Sequence, residues 1–298
     1  IGRNLADYGA TVIRVESSRR VETARLMGPF PGGVYDVCRS ALFETCNAGK
    51  FGLSLDLSRP EARTVIRKLA SWADVLVESF TPGQMARWGL SYQELAKDNP
   101  GLVMVSTSLT GQSGPFAKYS GYGNHGAAIA GFQHLVGRAD AAPVGPYGPY
   151  TDFIAPRFGI AATLAALDHR RRTGQGCWLD VSQTEAGAQF LAAQIAETSV
   201  TGRVQGAMGN RDATMAPHGV FRTMDEDCWI AIAVQTDEQW ARIASLAGIS
   251  RPAWQTLECR KRDEDAVETC IEEWTSRQSV DELEAALLSG LGKRNGRA

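Results

Sequence analysis

The sequence predicts an α/β fold in which a parallel sheet carries helices on both faces, followed by a smaller α+β domain. Short apolar runs typical of buried strands, ADVLVE, LVMVSTSL and CWLDVS, alternate with segments of helical spacing. Strands that alternate with helices indicate parallel pairing, because each crossover returns the chain to the same end of the sheet. The second domain is predicted from a change of pattern near Gly202.

The N-terminal third reads as successive strand–helix units. Residues 3–16 predict a helix that ends at Gly9 and leads into a short strand, TVIRV, as in the second half of a strand–helix–strand unit. Leu53, Leu55 and Leu57 alternate as a strand, and Pro60 begins a helix where its missing N–H is harmless. Since no strand precedes the first helix, we expect a chain that is cut at both ends.

Beyond a glycine-rich segment, residues 209–219, the chain predicts two antiparallel strands joined by an acidic turn and then helices. We therefore expect a large domain over residues 1–203 and a small domain over residues 204–298. The small-domain core is expected to contain Trp240, Leu246, Trp274 and Leu283.

Composition excludes several classes of protein. The 298 residues are 44% hydrophobic and 21% charged, as in an ordinary globular protein. A net charge of −2 argues against nucleic-acid or membrane-surface binding, and no apolar run approaches the roughly 20 residues that span a bilayer. The cysteines show neither close pairing nor metal-ligand spacing, which predicts a reducing, cytoplasmic location and no metal site.

One acid stands out in the segment Gly148–Gly176. Asp152 lies in a Gly/Pro/Tyr-rich stretch that reads as a loop before a small-residue helix, and a basic hairpin turn and the strand CWLDVS follow. A carboxylate at such a junction suits a covalent acyl carrier, but Asp is common as a helix cap, which is the more ordinary interpretation. The residues alone leave both readings open.

Several segments in register resemble the family III CoA-transferases, which include formyl-CoA transferase, carnitine CoA-transferase and alpha-methylacyl-CoA racemase. They are LADYGATVIRVE, NAGKFGLSLDLSRPEAR, ADVLVESFTPGQMARWGL, LTGQSGP and HRRRTGQGCWLDVSQTEA. The resemblance implies a Rossmann-like large domain, a small domain and an interlaced dimer, either a homodimer or a heterodimer with a related subunit. It also implies that Asp152 carries the acyl group, that acyl-CoA and a carboxylic acid are the substrates, and that no cofactor is permanently bound.

The resemblance also implies a set of CoA-binding residues. Arg25 and Arg87 stand where the family has CoA-contacting arginines, and a guanidinium can bind phosphate oxygens in two places. Lys50, Ser79 and Phe80 match further positions of the same surface. The alternatives are solvated surface cations and, for Phe80, an ordinary core position.

The loop SGYGNHG lies where the resemblance distinguishes CoA-transferases from acyl-CoA racemases. Tyr122 stands where the racemase branch has its histidine base, so we expect transfer of CoA and count Tyr122 among the substrate-binding residues. Gly123 departs from the acidic residue that many members carry, and His125 is expected to contact a helix start or the dimer interface. An acyl-CoA racemase or epimerase and a non-catalytic or truncated subunit stay open as alternatives. Residues 209–219 are expected to be either a loop that covers the active site or an interdomain linker.

Overall fold

A computed structural model describes residues 1–289. The chain divides into two compact units, the first formed by Ile1–His134 and Val144–Gln205. The second unit combines Leu135–Pro143 with the chain from Gly206 onward. The domain boundary after residue 203 and the functions assigned to the two domains stay predictions.

In the described part of the first unit, parallel strands form two sheets. β1 (Ile13–Glu16) pairs with β2 (Phe51–Ser54). β3 (Val75–Glu78), β4 (Val103–Ser108) and β5 (Cys177–Ser182) form the second sheet in that order. The predicted α/β class with parallel pairing is confirmed, although the strands divide between two sheets. Because β3, β4 and β5 run in the same direction, their carboxyl ends share one edge.

Helices of the chain up to residue 201 connect and flank these strands. They are α1 (Gly2–Asp7), α2 (Ala41–Asn47), α3 (Pro60–Trp72), α4 (Gln84–Arg87), α5 (Tyr92–Asp98), α6 (Gly123–Ala130), α7 (Phe132–Leu135), α8 (Tyr150–Thr173), α9 (Gln183–Gln189) and α10 (Ala192–Thr201). Pro60 is the first residue of α3, as predicted, and Ala62, Ile66 and Ala70 form its buried face. That face packs with Leu102 and Met104 in the core beside the second sheet.

The segment around Asp152 differs from its prediction. α8 already begins at Tyr150, so Asp152 lies in the first helical turn and not in a preceding loop. The basic residues Arg170, Arg171 and Arg172 form the last turn of the same helix, not a hairpin turn. Pro156 lies inside α8, where it lacks the N–H that would donate to the carbonyl of Asp152 four residues earlier and where its ring crowds that carbonyl. The loop SGYGNHG is likewise partly helical, since α6 begins at Gly123.

The second unit has its own core. β6 (His218–Arg222) and β7 (Trp229–Ala233) form the predicted antiparallel pair. The helices that follow are α11 (Asp237–Leu246), α12 (Leu257–Arg262), α13 (Glu264–Thr275) and α14 (Val280–Leu288). Trp240 and Leu283 are buried and Trp274 is partly buried, as predicted, whereas Leu246 at the end of α11 is 40% exposed.

A buried arginine joins several elements of this unit. Arg260 is fully buried, and its guanidinium donates to the carbonyl oxygens of Ala216, Trp254 and Gln255 at 2.7–3.1 Å. It also donates to Asp237 Oδ1 at 2.9 Å. A buried charge is tolerated only when its donors are satisfied in this way.

The described residues contain no helix that is both long enough and apolar enough to cross a membrane.

Candidate active site

Asp152 is the third residue of α8, and its carboxylate therefore lies at a helix N-terminus. Its own N–H donates to Pro149 O at 3.0 Å, and its side chain is half-buried. The unpaired N–H groups and the dipole of a helix N-terminus favour negative charge at this position.

Two uncharged donors from neighbouring helices hold the carboxylate. Gly123 N, at the start of α6, donates to Asp152 Oδ2 at 3.0 Å. The side-chain amide of Gln183, at the start of α9, donates through Nε2 to Asp152 Oδ1 at 2.8 Å. Both oxygens are therefore oriented before any substrate is present.

The close approach of α6 and α8 depends on glycine. A Cβ on Gly123 would lie 2.4 Å from Pro149 O and 2.6 Å from Asp152 N, both backbone atoms that cannot turn aside. A Cβ on Gly126 would lie 2.3 Å from Thr151 Oγ1. Thr151 is fully buried, and its hydroxyl donates to Gly123 O at 2.9 Å. The glycine that departs from the family's acidic residue thus brings an N–H group onto the carboxylate.

Tyr122 and His125 lie at the start of α6. Tyr122 is 60% exposed and directly precedes Gly123. His125 Nδ1 accepts a hydrogen bond from Tyr122 N at 3.1 Å, which is the helix-start contact expected from the sequence. This nitrogen of His125 is therefore engaged at the start of α6.

The predicted CoA-binding residues Ser79, Phe80 and Arg87 share the segment that follows β3. Ser79 Oγ lies 2.8 Å from Thr107 Oγ1, across the carboxyl edge of the sheet. Phe80 is 38% exposed, and its ring packs edge-on against Trp88 with centroids 5.0 Å apart. Arg87 is exposed, and its guanidinium donates only to its helix neighbour Gln84, at 2.6 Å, among the described contacts. The other N–H groups of this guanidinium have no described protein partner.

Arg25 and Lys50 lie in a different environment. Arg25 donates to both oxygens of Glu16 at 2.9 Å and to Val37 O at 3.1 Å, and its guanidinium stacks 3.5 Å from the Phe43 ring centre. The pKa of Glu16 is lowered, chiefly by the hydrogen bond from Arg25. Lys50 Nζ donates to Asn47 Oδ1 at 2.8 Å, and burial, followed by the charge of Arg14, lowers its pKa. No described contact joins either residue to Asp152.

Sequence reasoning missed a buried carboxyl at the carboxyl edge of the sheet. Glu78 ends β3 in register with Ser106 and is 7% exposed. It accepts hydrogen bonds from Phe80 N at 2.7 Å and from the Ser106 hydroxyl, and Ser106 Oγ accepts one from Trp178 Nε1 at 2.9 Å. Burial raises the pKa of Glu78. Gln183 was missed as well, although its place directly after β5 is where ligand-binding residues of such sheets are found.

No metal centre is evident in the part of the chain that the structure describes, where His, Cys, Asp and Glu do not gather in threes as ligands would.

Comparison with known proteins identifies the family. The model of CoA-transferase family III matches residues 1–290. The chain belongs to this family of transferases. The resemblance stated from the sequence segments is thereby confirmed.

Individual relatives agree with this assignment. Succinyl-CoA–D-citramalate CoA-transferase of Chloroflexus aurantiacus is 29% identical over 96% of this chain and 71% of its own length. The alpha subunit of succinyl-CoA–L-malate CoA-transferase of the same organism is 32% identical over 94% of this chain and 65% of its own length. The crystal structure of a CaiB/BaiF family protein from Brucella suis superposes with a TM-score of 0.83 at 30% identity, covering 98% of this chain and 77% of the other. The chain thus spans between about half and three quarters of the length of the relatives and solved structures that it matches.

Proposed function

We propose that this protein transfers CoA from an acyl-CoA to a free carboxylic acid and that Asp152 carries the acyl group. Family membership supports CoA transfer. The observation that supports Asp152 is its carboxylate, held at both oxygens by Gly123 and Gln183 at a helix N-terminus. An aspartate held ready in this way can attack a carbonyl with little loss of conformational entropy.

The proposed cycle needs only bond exchanges at this carboxyl. An Asp152 oxygen attacks the thioester carbonyl, the C–S bond breaks, and CoA thiolate leaves a mixed anhydride. The thiolate then attacks the Asp152 carboxyl carbon, which releases the first acid and leaves an aspartyl-CoA thioester. The acceptor carboxylate attacks this thioester, and the steps run in reverse to give the new acyl-CoA. Covalent catalysis thus splits one difficult transfer into steps between acyl groups of similar activation.

Oxyanion stabilisation in this cycle is assigned to the backbone. When the thiolate attacks the Asp152 carboxyl carbon, negative charge develops on the oxygen that is not leaving. The N–H of Gly123, at the N-terminus of α6, is aimed at this carboxyl group and donates without any side chain in the way.

We infer that the acids exchanged are dicarboxylic. Support comes from the relatives, which are named for transfer from succinyl-CoA to D-citramalate and to L-malate. Succinyl-CoA with malate or citramalate is therefore the first substrate pair to test. Retention of an acyl-CoA racemase activity is disfavoured because Tyr122 occupies the position of the racemase base and His125 Nδ1 is engaged.

CoA is proposed to bind at the carboxyl edge of the second sheet, with Arg87 on a phosphate and Phe80 and Ser79 beside the nucleotide. The exposure of Arg87 and Phe80 supports this. Arg25 and Lys50 are proposed to contribute through the N–H groups that their neighbours Glu16, Val37 and Asn47 leave unused. Tyr122 is proposed to face the acyl group.

Assembly and location are also proposed. We infer an interlaced dimer, formed with a second copy or with a related subunit, because one relative is named as the alpha subunit of its enzyme. A cytoplasmic location stays a prediction.

The central experiment tests Asp152 directly. The protein is incubated with succinyl-CoA and L-malate, and product CoA esters are measured together with hydroxylamine trapping of the peptide that contains Asp152. We expect exchange and a hydroxamate on Asp152 in the native protein. Asp152→Ala and the isosteric Asp152→Asn should lose at least about 10³-fold in rate. Full transfer by either variant, with native-like thermal unfolding, would refute the assigned role.

A further inference from the structure

Gln183 has an orientation that its surroundings determine. It is the first residue of α9, directly after Ser182, whose Oγ accepts from Glu185 N at 3.1 Å and so begins the helix. Thr184 anchors the same turn through its N–H and hydroxyl to Leu109 O at 2.9 and 2.8 Å. The side chain of Gln183 thus extends toward α8 from a helix start that is held on both sides.

The amide of Gln183 can contact Asp152 in only one sense. Its Nε2 donates to Asp152 Oδ1 at 2.8 Å, while its Oε1 lies 3.3 Å from the hydroxyl of Thr151. A flipped amide would place its carbonyl oxygen against the carboxylate, so that two acceptors would meet with no proton between them, whereas the Thr151 hydroxyl, which donates to Gly123 O at 2.9 Å, could face either end of the amide. The carboxylate therefore determines the observed orientation, in which Nε2 faces Asp152.

We propose that Gln183 is a positioning residue for Asp152, which it holds in the plane and rotamer needed for acyl transfer. The inference rests on the proposed function of Asp152 and assigns a specific requirement to the residue after β5. With Gly123 on Oδ2 and Gln183 on Oδ1, the carboxyl group cannot rotate about its last bond without breaking both hydrogen bonds.

The consequence for the reaction follows from the two oxygens. One oxygen forms the bond to the acyl carbon as the C–S bond breaks and the thiolate departs. The other keeps its donor and becomes the carbonyl oxygen of the anhydride. When the thiolate adds to the carboxyl carbon, the negative charge falls on this second oxygen, and the charge-assisted hydrogen bond to it strengthens. No proton enters or leaves these steps.

The charged and titratable groups near Asp152 allow the proposed role of Gln183 to be tested. The helices packed against the first turn of α8 are α6, α7 and α9, whose titratable side chains are His125, His134 and Glu185, all exposed; Tyr122 precedes α6, and Tyr150 and Arg157 lie on α8 itself. None of these groups is a described hydrogen-bond partner of Asp152. A carboxylate introduced at position 183 would therefore be a new charge in direct contact with it.

The experiment compares Gln183→Leu and Gln183→Glu with Gln189→Leu, a control at an exposed position of the same helix. In Gln183→Leu, kcat should fall about 10- to 100-fold, with the KM for acyl-CoA within about two-fold of the native value. In Gln183→Glu, two carboxylates in contact resist simultaneous ionisation, so the acid limb of the kcat/KM profile should move to higher pH. The ¹³C signal of the Asp152 carboxyl should titrate at higher pH in the same variant, a readout that needs no turnover.

The outcomes separate the two proposals. An inactive Asp152→Asn together with fully active Gln183→Leu and an unmoved Asp152 titration in Gln183→Glu would overturn the role of Gln183 alone. An active Asp152→Asn would overturn the acyl-carrier role, whereas the ¹³C titration would still report whether the two side chains are coupled. A loss in Gln183→Leu that is matched by Gln189→Leu, or by a lowered unfolding midpoint, would mark a structural effect and count against positioning.

Discussion

At the scale of single residues, Glu78 is a buried carboxyl at the carboxyl edge of the second sheet, and its ionisation affects the stability of the fold. Burial raises its pKa above the ordinary value of 4.5, against hydrogen bonds from Ser106 and the Phe80 N–H that favour the ionised form. The folded protein then holds this proton more tightly than the unfolded chain does. The free energy of unfolding should therefore fall as the pH rises from about 4.5 through the folded-state pKa.

Replacing the carboxyl by an amide tests this assignment. Gln at position 78 keeps an oxygen for the Phe80 N–H and adds a donor for Ser106 Oγ, without a charge to desolvate. Glu78→Gln should raise the free energy of unfolding at pH 7 and flatten its dependence on pH above 4.5, as measured by urea unfolding at a series of pH values. The exposed acid Glu185 supplies the control Glu185→Gln. An unchanged pH dependence in Glu78→Gln would show that Glu78 is not the group responsible.

The sequence offers a candidate role for a residue only where the residue type carries the chemistry itself, and the role of Asp152 stays a proposal. Asp152 stood out because it is a lone carboxylate among Gly, Pro and Tyr within a recognisable series of segments. Gln183 could not be found in this way, because its contact joins residues 31 positions apart and no periodic pattern connects them. Gly123 was noticed as a departure, but its purpose is visible only once Pro149 O and the Asp152 N–H are seen beside it.

At the scale of elements, α6, α9 and the first turn of α8 meet through small residues. Gly187 of α9 would bring a Cβ within 3.1 Å of Ala130 Cβ and 3.2 Å of Thr151 Cγ2. Gly123 and Gly126 serve the same close packing from α6. Backbones that approach this closely are rigid relative to one another, because interiors of this density have no room for displacement.

A methyl group added at one of these glycines should displace the Gly123 N–H that donates to Asp152. Gly123→Ala forces its methyl group onto backbone atoms of Pro149 and Asp152, so the start of α6 must shift. We expect a loss of about 1–3 kcal/mol in the free energy of unfolding. The rate of CoA transfer should fall by about 10²-fold or more, as when an oxyanion donor is removed. Gly52→Ala, where an added Cβ meets nothing within 4 Å, is the matched control. Native stability and rate in Gly123→Ala would contradict the described packing.

The boundaries of helices and strands could be predicted where the hydrophobic periodicity is strong. The predictions failed where a helix lacks a side-chain cap. The strands β3, β4 and β5 were found from their apolar runs, and Pro60 marked the start of α3. The start of α8 was missed because Pro149, its N-cap residue, has no side-chain cap and Pro156 resembles a breaker. Tertiary packing against α6 and α9 stabilises this first turn instead, and packing of that kind leaves no local signal.

At the scale of the whole molecule, the two units have separate cores. The cluster around Trp240 and Val267 belongs to the second unit, whereas those around Leu102 and Val105 belong to the first. In the second unit, Arg211 of the segment 209–219 donates to Glu268 of α13 at 2.9 and 2.6 Å. Whether this segment acts as an active-site cover or as a linker stays a prediction, since these contacts suit both.

A substitution that destabilises the core of one unit should leave the stability of the other unit unchanged. Arg260→Leu leaves the carbonyls of Ala216 and Trp254 without a donor, which should cost about 2–4 kcal/mol. Hydrogen exchange should accelerate in β6, β7 and α11–α13 and stay unchanged in β3–β5. Arg262→Leu, on the same helix but with its side chain 71% exposed, is the control. Equal acceleration in β3–β5 would show that the two units unfold together.

The fold class and family were accessible from the sequence because they depend on many segments at once, and errors at single boundaries do not affect them. An interlaced dimer was expected only as an implication of the resemblance and stays a proposal, because the pattern of one chain does not record whether a second chain covers its exposed apolar side chains. A surface covered by a second chain would include exposed apolar side chains such as those of Phe153, Phe190 and Val200, whose exposed fractions are 54%, 55% and 85%.

The neutrality of the groups around Asp152 has a consequence for turnover. In the proposed cycle, Asp152 would change from an anion into an uncharged acyl derivative and back again. Had a lysine or arginine held it, every acylation would strand a cation without its counter-ion, at a desolvation penalty that would oppose the step. A peptide N–H and a carboxamide bond to an ester-like oxygen almost as readily as to a carboxylate, so the free-energy difference between the resting and loaded forms stays small. Reversible exchange in both directions requires such a balance.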